Sequence, residues 1–270
     1  GAFLGKPKRK ARIDFYRLMK TAIITGASAG LGREFLRHLP TLFPDIEEYW
    51  LVSRSKDKLT EAAREVPRQC RIFPLDLTLD ESYEKFAAEL ERLKPEVWML
   101  INNSGCGFLG NVGEGELKKQ TQMVDLNLKG LTAMTHVTLP YMHKGGCVIN
   151  VSSIASFCPN PRMTVYCSTK AYVLSFTKSL RFELRGTGIN VCAVCPGPMA
   201  TEFLDVAGIS GGKSKTFETL PYCDPDKVAA GALRAAGAGR NVYTPRAFFK
   251  FYRFLAKILP HSLVMKMSKT

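Results

Sequence analysis

Thr25-Gly26-Ala27-Ser28-Ala29-Gly30-Leu31-Gly32 is the stretch whose reading decides the fold. It follows a short β-prone run, Thr21-Ala22-Ile23-Ile24-Thr25, and opens a helical pattern. Glycines at this point let the backbone turn tightly and come close to a pyrophosphate. The helix behind them offers unpaired N–H groups and the positive end of its dipole. A strand, a glycine loop and a helix in that order predict a dinucleotide site on a parallel α/β sheet. The spacing is G-x-x-x-G-x-G rather than the G-x-G-x-x-G of many such sites.

Working outward, six further β-prone runs follow: Tyr49–Ser53, Arg71–Leu75, Val97–Ile101, Cys147–Val151, Ile189–Val194 and Asn241–Thr244. They are nearly continuously apolar, as in parallel strands covered on both faces. Helical patterns separate them, at Glu81–Leu93, Thr121–Met142, Tyr166–Leu184 and from the N-cap pair Asp224-Pro225 onward. Seven strands alternating with helices predict one doubly wound (Rossmann) domain, α/β, with helices on both faces of the sheet. No linker or repeat divides the 270 residues. Residues 21–245 read as the dinucleotide-binding and catalytic domain, 1–20 as a basic extension and 246–270 as a basic C-terminal helix and tail of the same domain.

The net charge of +14 sits in the two ends. Residues 1–20 hold seven basic side chains against Asp14, and residues 240–270 hold seven and no acid. The 219 residues between them are close to neutral, so no nucleic-acid partner is expected. Met19-Lys20-Thr21 leads straight into the first strand, and residues 1–18 are expected to be dispensable for folding. No apolar core of a secretory signal follows the basic N-terminus, and no run approaches the ~18–20 residues that span a bilayer. Eight cysteines are too few for a disulfide scaffold and point to a reducing, cytoplasmic compartment. Cys192 and Cys195 form C-x-x-C on a strand, where positions three apart face opposite ways, so they read as small buried hydrophobes. The four histidines show no ligand spacing, and no metal site is expected.

Tyr166-Cys167-Ser168-Thr169-Lys170 carries the chemistry. The i, i+4 spacing puts Tyr166 and Lys170 on one helix face, and Ser153 lies just after the Cys147–Val151 strand. A tyrosine, pKa ~10, is a weak acid–base at neutral pH. A neighbouring ammonium favours tyrosinate, so Lys170 is expected to lower the Tyr166 pKa. With the glycine loop, these residues resemble the short-chain dehydrogenase/reductase family, and Ser53-Arg54-Ser55-Lys56-Asp57-Lys58-Leu59 looks like the same segment in its hydroxysteroid dehydrogenase and 3-ketoacyl reductase branch. Asn102-Asn103-Ser104-Gly105 looks like the family's N-N-A-G, Asn127 matches its active-site Asn, and Pro196-Gly197-Pro198-Met199-Ala200-Thr201 matches its P-G-x-x-x-T.

The resemblance implies Asn127, Ser153, Tyr166 and Lys170 as catalytic residues. It implies that Ser153 hydrogen-bonds the substrate oxygen, that Lys170 also holds the nicotinamide ribose, and that Asn127 supports a water in a proton relay. It places the cofactor on Gly26, Ser28, Gly30, Leu31 and Gly32, on Asp76 and Leu77, on Asn103, Ser104 and Gly105, and on Pro196, Gly197, Met199 and Thr201, besides Tyr166 and Lys170. At the end of the second strand, Ser53-Arg54-Ser55 offers no acid for a ribose 2′-hydroxyl but a guanidinium and hydroxyls for a 2′-phosphate. NADPH/NADP+ is therefore the expected cofactor. The activity implied is hydride transfer between a lipophilic ketone and a secondary alcohol, with Tyr166 as general acid/base. A nucleotide-sensing protein on the same fold, or a membrane-associated reductase of another carbonyl class, is the alternative; the sensing proteins usually lack the Tyr or Lys kept here.

Pocket residues are expected at Cys106, Phe108, Phe157, Pro159, Met163, Met199, Phe203 and Leu204, mostly apolar, under a lid from Glu202 to Tyr222. A homo-oligomer, dimer or tetramer, is expected. In residues 246–259, Lys250, Arg253 and Lys257 share one helical face, and Phe248, Phe251, Tyr252, Leu255, Ile258 and Leu259 the other. Pro260 ends the helix. Such a face either packs, over the pocket or against another subunit, or lies on a membrane surface, and packing is the favoured reading.

Overall fold

The computed structural model describes residues 19–201 and 219–267; the extension at 1–18, Phe203, Leu204 and most of the expected lid lie outside the described residues. Seven strands form one parallel sheet: β1 (Lys20–Thr25), β2 (Glu48–Ser53), β3 (Gln69–Pro74), β4 (Glu96–Asn102), β5 (Met142–Val151), β6 (Asn190–Val194) and β7 (Val242–Tyr243). Their order is β3-β2-β1-β4-β5-β6-β7. The helices are α1 (Gly30–Leu42), α2 (Lys56–Arg64), α3 (Asp80–Leu93), α4 (Leu117–Val124), α5 (Leu131–Thr138), α6 (Thr164–Glu183), α7 (Pro225–Gly237), α8 (Ala247–Ile258) and α9 (His261–Met267).

The continuous apolar runs are explained by the two layers that cover them. Ile24, Leu51, Ile101 and Ile149 pack with Leu36 and Leu39 of α1 and Leu233 of α7. The alternate residues Ile23, Trp50, Leu100 and Val148 pack with Phe86 and Leu90 of α3 and Leu180 of α6 on the other side. Each fully buried Leu, Ile or Phe contributes about 1.5–3 kcal/mol, so the sheet needs both layers. The edge strand β3 is only half covered. The strand order reverses between β1 and β4, and the crevice there, at the carboxyl ends of the strands, is where such sheets bind ligands.

Three expectations change. The single helix at Thr121–Met142 is instead α4, a π turn over Asp125–Gly130, and α5. The wider π turn tucks Asn127 into the interior, and Pro140 closes α5 in a 3₁₀ turn. The chain beyond Pro260 is not a plain tail but α9. α8 turns Phe249, absent from the expected apolar face, fully into the core. Cys192 and Cys195 fall in different clusters, and all eight cysteines are free.

Gly32 is where α1 passes closest to the glycine loop. A Cβ there would overlap the Gly26 carbonyl oxygen and lie 2.7 Å from Asn103 Nδ2. Gly32→Ala is expected to cost about 1–3 kcal/mol, read as a lowered Tm, as overpacking does. Gly113→Ala, with open space around it, is the control and leaves Tm unchanged.

Candidate active site

The crevice holds a cavity of about 900 Å³, near the upper end of the ~300–1,000 Å³ usual for small-molecule and cofactor sites. One half is built by the loops after β1, β2, β3 and β4. Gly26 (φ 67°) and Gly30 (φ 52°) hold the loop in a left-handed conformation. Its shape is fixed from β2 and β4. Gly26 N–H donates to the Val52 carbonyl at 2.8 Å, and the Asn103 amide donates to the Thr25 and Gly26 carbonyls at 3.2 Å each. Thr25 Oγ1 accepts the N–H groups of Asn103 and Ser104 at 3.0 Å each. Among the described residues no side chain caps α1, whose N-cap is Ala29, and Ser28 to Leu31 line the cavity, so the first N–H groups of the helix face the space where an anion would sit.

Farther along, Ser53, Arg54 and Ser55 line the same half. Ser55 caps α2 by accepting the Lys58 N–H at 3.3 Å. Lys58 also lines the cavity, beside Arg54; sequence reading missed it, although its place one turn into α2 from Arg54 was the available signal. Asp76 Oδ1 accepts from the N–H and hydroxyl of Thr78, at 3.0 and 2.8 Å, and with Leu77 borders the cavity. Ser104, Gly105, Pro196, Gly197, Met199 and Thr201 also line it. A left-handed glycine loop, an uncapped helix start, an acid at Asp76 and two cations fit a phosphorylated dinucleotide.

The other half begins at Tyr166. Its hydroxyl is hydrogen-bonded to Ser153, whose Oγ also accepts the Ala155 N–H at 3.1 Å. Lys170, one turn on, is buried, with Nζ donating to the Val151 carbonyl at 3.0 Å and lying 5.8 Å from the centre of the Tyr166 ring. Ser152 Oγ donates to the Lys170 carbonyl at 2.8 Å and so ties α6 to the end of β5. Asn127 lies behind the cavity wall and not in it. Its Oδ1 accepts the Cys106 N–H at 2.8 Å, and its Nδ2 donates to the Cys106 carbonyl at 2.8 Å and to Thr169 Oγ1 at 3.0 Å. Gly105 separates Asn127 from Lys170: a Cβ there would sit 3.1 Å from Asn127 Oδ1 and 3.3 Å from Lys170 Nζ. Gly32 is likewise behind the wall, as packing against Gly26 requires.

Burial dominates the electrostatics of this half. Burial raises the Tyr166 pKa above its ordinary value, and the hydrogen bond to Ser153 opposes this only in part. Burial also pulls Lys170 down to about 8. The same desolvation that raises the phenol also weakens the hold of the amine on its proton.

Of the expected pocket residues, Cys106, Phe108, Met163 and Met199 line the cavity. Phe157 and Pro159 do not: Phe157 packs into the cluster beneath α8, and Pro159 is exposed. The far wall comes from α8 and α9: Phe248, Phe251, Tyr252, Leu255 and Leu259 of the expected apolar face line the cavity, and Val264, which sequence reading did not name, joins them. Asn160 also reaches this half, its buried Oδ1 having no protein hydrogen-bond partner among the described residues. Among the described residues, Glu34, His38 and Asp226 bring their ligand atoms within 4.8 Å of one another at the surface, a grouping that sequence spacing hid because α7 supplies Asp226. His38 Nε2 lies 2.7 Å from Asp226 Oδ1 and joins α1 to α7.

Lys170 gives a pH test. Its folded pKa of about 8 is below the ordinary 10.5, so between those values the unfolded chain binds more protons, and stability from this group rises with pH. Lys170→Met is therefore expected to raise Tm over the native chain at pH 7, with the difference shrinking as pH rises from about 8 to about 10.5. Paired thermal melts across that range check it; a constant difference would rule out a buried, titrating amine.

The comparisons with known proteins agree with this geometry. The family model described as short chain dehydrogenase matches residues 20–208. The sulfoacetaldehyde reductase 2 of Chromohalobacter salexigens is 34% identical over 207 residues, 73% of this chain and 79% of that protein. The very-long-chain 3-oxoacyl-CoA reductase of Anas platyrhynchos is 29% identical over 259 residues, 91% of this chain and 78% of that protein. The closed form of serine dehydrogenase complexed with NADP+ superposes with a TM-score of 0.72 at 27% identity, covering 83% of this chain and 93% of that one. With most of its length matched to one family model, and with that family's motifs gathered around a single crevice, the chain belongs to the short chain dehydrogenases.

Proposed function

We propose that this chain is an NADP(H)-dependent oxidoreductase that interconverts a lipophilic ketone and its secondary alcohol. The observation that carries the reading is the Tyr166–Ser153 hydroxyl pair at the junction of a phosphate-binding half and an apolar half of one cavity. The nicotinamide supplies or accepts the hydride when bound. Ser153 would donate a hydrogen bond to the substrate oxygen and polarise it. Tyr166 would give that oxygen its proton in reduction, and its raised pKa keeps the proton on the phenol at neutral pH. Lys170, held by the Val151 carbonyl, would face the ribose side, and Asn127 would fix the loop that leads to Cys106.

The substrate class rests on the lining. The cations of the cavity, among the described residues, are Arg54, Lys58 and Lys170, and none comes from the wall made by α8 and α9. A small anion such as sulfoacetaldehyde would find no clamp there, whereas Phe251, Tyr252, Leu255 and Leu259 suit an aliphatic or polycyclic body. The relative named as a very-long-chain 3-oxoacyl-CoA reductase supports the same side of the choice. NADP(H) is favoured by Arg54 and Lys58, by the absence of an acid at the end of β2, and by the NADP+ in the serine dehydrogenase structure.

Tyr166→Phe is expected to lower NADPH-dependent ketone reduction by ~10²–10⁴-fold while NADPH affinity, measured by fluorescence titration, stays close to native. More than a tenth of the native rate in that variant would sink the assignment. Arg54→Ala is expected to reduce the preference for NADPH over NADH by roughly ten- to a hundredfold, the worth of one charge-assisted contact to phosphate. The check is kcat/KM for both cofactors in both chains, and equal use of NADH by the native chain refutes the cofactor reading.

A further inference from the structure

Around α8 the side chains fall into four sectors, not the two that its sequence suggests. Phe249 and Ala256 are buried in the body of the protein. Tyr252, Leu255 and Leu259 turn to the cavity. Phe251, Phe254 and Ile258 form an outward stripe, with exposures of 61, 57 and 57%. Lys250 and Lys257 then flank that stripe on the side away from the cavity, both exposed. Phe248, 52% exposed, and Phe251 also line the cavity, so the stripe borders its mouth. Leu263, 46% exposed, and the exposed Lys266 continue the same composition onto α9.

We infer that this stripe is a docking surface for a bilayer rich in anionic lipid, and that it seats the mouth of the cavity against the membrane. Charge and composition choose this occupant. Residues 240–270 carry seven basic side chains and no acidic one. Phenylalanines with lysines at their flank match the boundary between acyl chains and anionic headgroups, with the lysine stems reaching back to the phosphates. A second copy of the chain suits the surface poorly. A two-fold contact would set the same patch against itself, bringing Lys250 and Lys257 toward their own equivalents with no acid in residues 240–270 to pair with. The mode of contact is lying on the surface: among the described residues no helix is long and apolar enough to cross a membrane. A lipophilic ketone dissolved in the bilayer would then enter past Phe248 and Phe251 without crossing water.

The test is flotation of the full chain with phosphatidylcholine vesicles, with and without phosphatidylglycerol, at low and at high salt. It reads the surface and not turnover, so its outcome is separate from that of the reaction assigned above. The expected result is binding to the anionic vesicles at low salt that weakens as salt screens it. Lys250→Glu/Lys257→Glu should weaken partition roughly tenfold or more. Phe254→Ser/Ile258→Ser should do the same with every charge kept. Neither pair lines the cavity, and circular dichroism melts matching the native chain confirm that the variants fold. No flotation at low salt overturns the inference, and so does flotation that both double variants leave intact, which would assign binding to basic residues elsewhere. A chain that does not float but sediments as a dimer, with Phe254→Ser/Ile258→Ser monomeric, assigns the stripe to a second copy instead.

Discussion

Keeping an amine at Lys170 away from water is the constraint on which the catalytic half of the molecule depends. Its Nζ is buried and bonded to the Val151 carbonyl, the last residue of β5. That bond requires α6 to sit at one height over the sheet, and Ser152 holds it there through the Lys170 carbonyl. The same placement brings Tyr166 to Ser153. It also forces residue 105 to lack a side chain, because Asn127 and Lys170 approach that position from either side. Strand, turn and helix are thus set by one desolvated group, and the cost of its burial shows in a pKa near 8.

The parts of this arrangement that were legible in the sequence are those in which local pattern and tertiary role coincide. Ile23 and Ile24 read as a doubly covered strand because neighbouring positions meet different helix layers. The loop from Gly26 to Gly32 read as a phosphate cradle because glycine is required there on two counts, a positive φ and a close crossing. Asp224 and Pro225 read as a helix start, and Asp224 does accept the Asp226 N–H, at 3.1 Å. Tyr166, Lys170 and Ser153 were found by spacing and by resemblance, and the fold brings them together.

What could not be read is what depends on partners far along the chain. The π turn at Asp125–Gly130 leaves no periodicity signal, because one wider turn is lost within an otherwise helical pattern. Asn127 was found, but its links to Cys106 and Thr169 were not, since they cross 21 and 42 residues. The helical wheel of α8 divided it into one charged and one apolar face, and it could not say which apolar residues face the protein. Three-dimensional context chose Phe249 for the core and left Phe254 outside. Phe157 failed as a pocket residue for the same reason: the room it was expected to border is taken by α8.

Phe249 has a wider consequence. Its ring fills the place that a side chain at residue 197 would need, so a Cβ on Gly197 would overlap it. The C-terminal helix is thereby plugged into the loop after β6 like a pin in a socket, and Ala256 and, on α9, Val264 are buried behind it in the cluster with Phe157 and Leu174. A segment exchanged for this one would have to bring an aromatic ring for the socket and side chains small and apolar enough for the buried places of Ala256 and Val264.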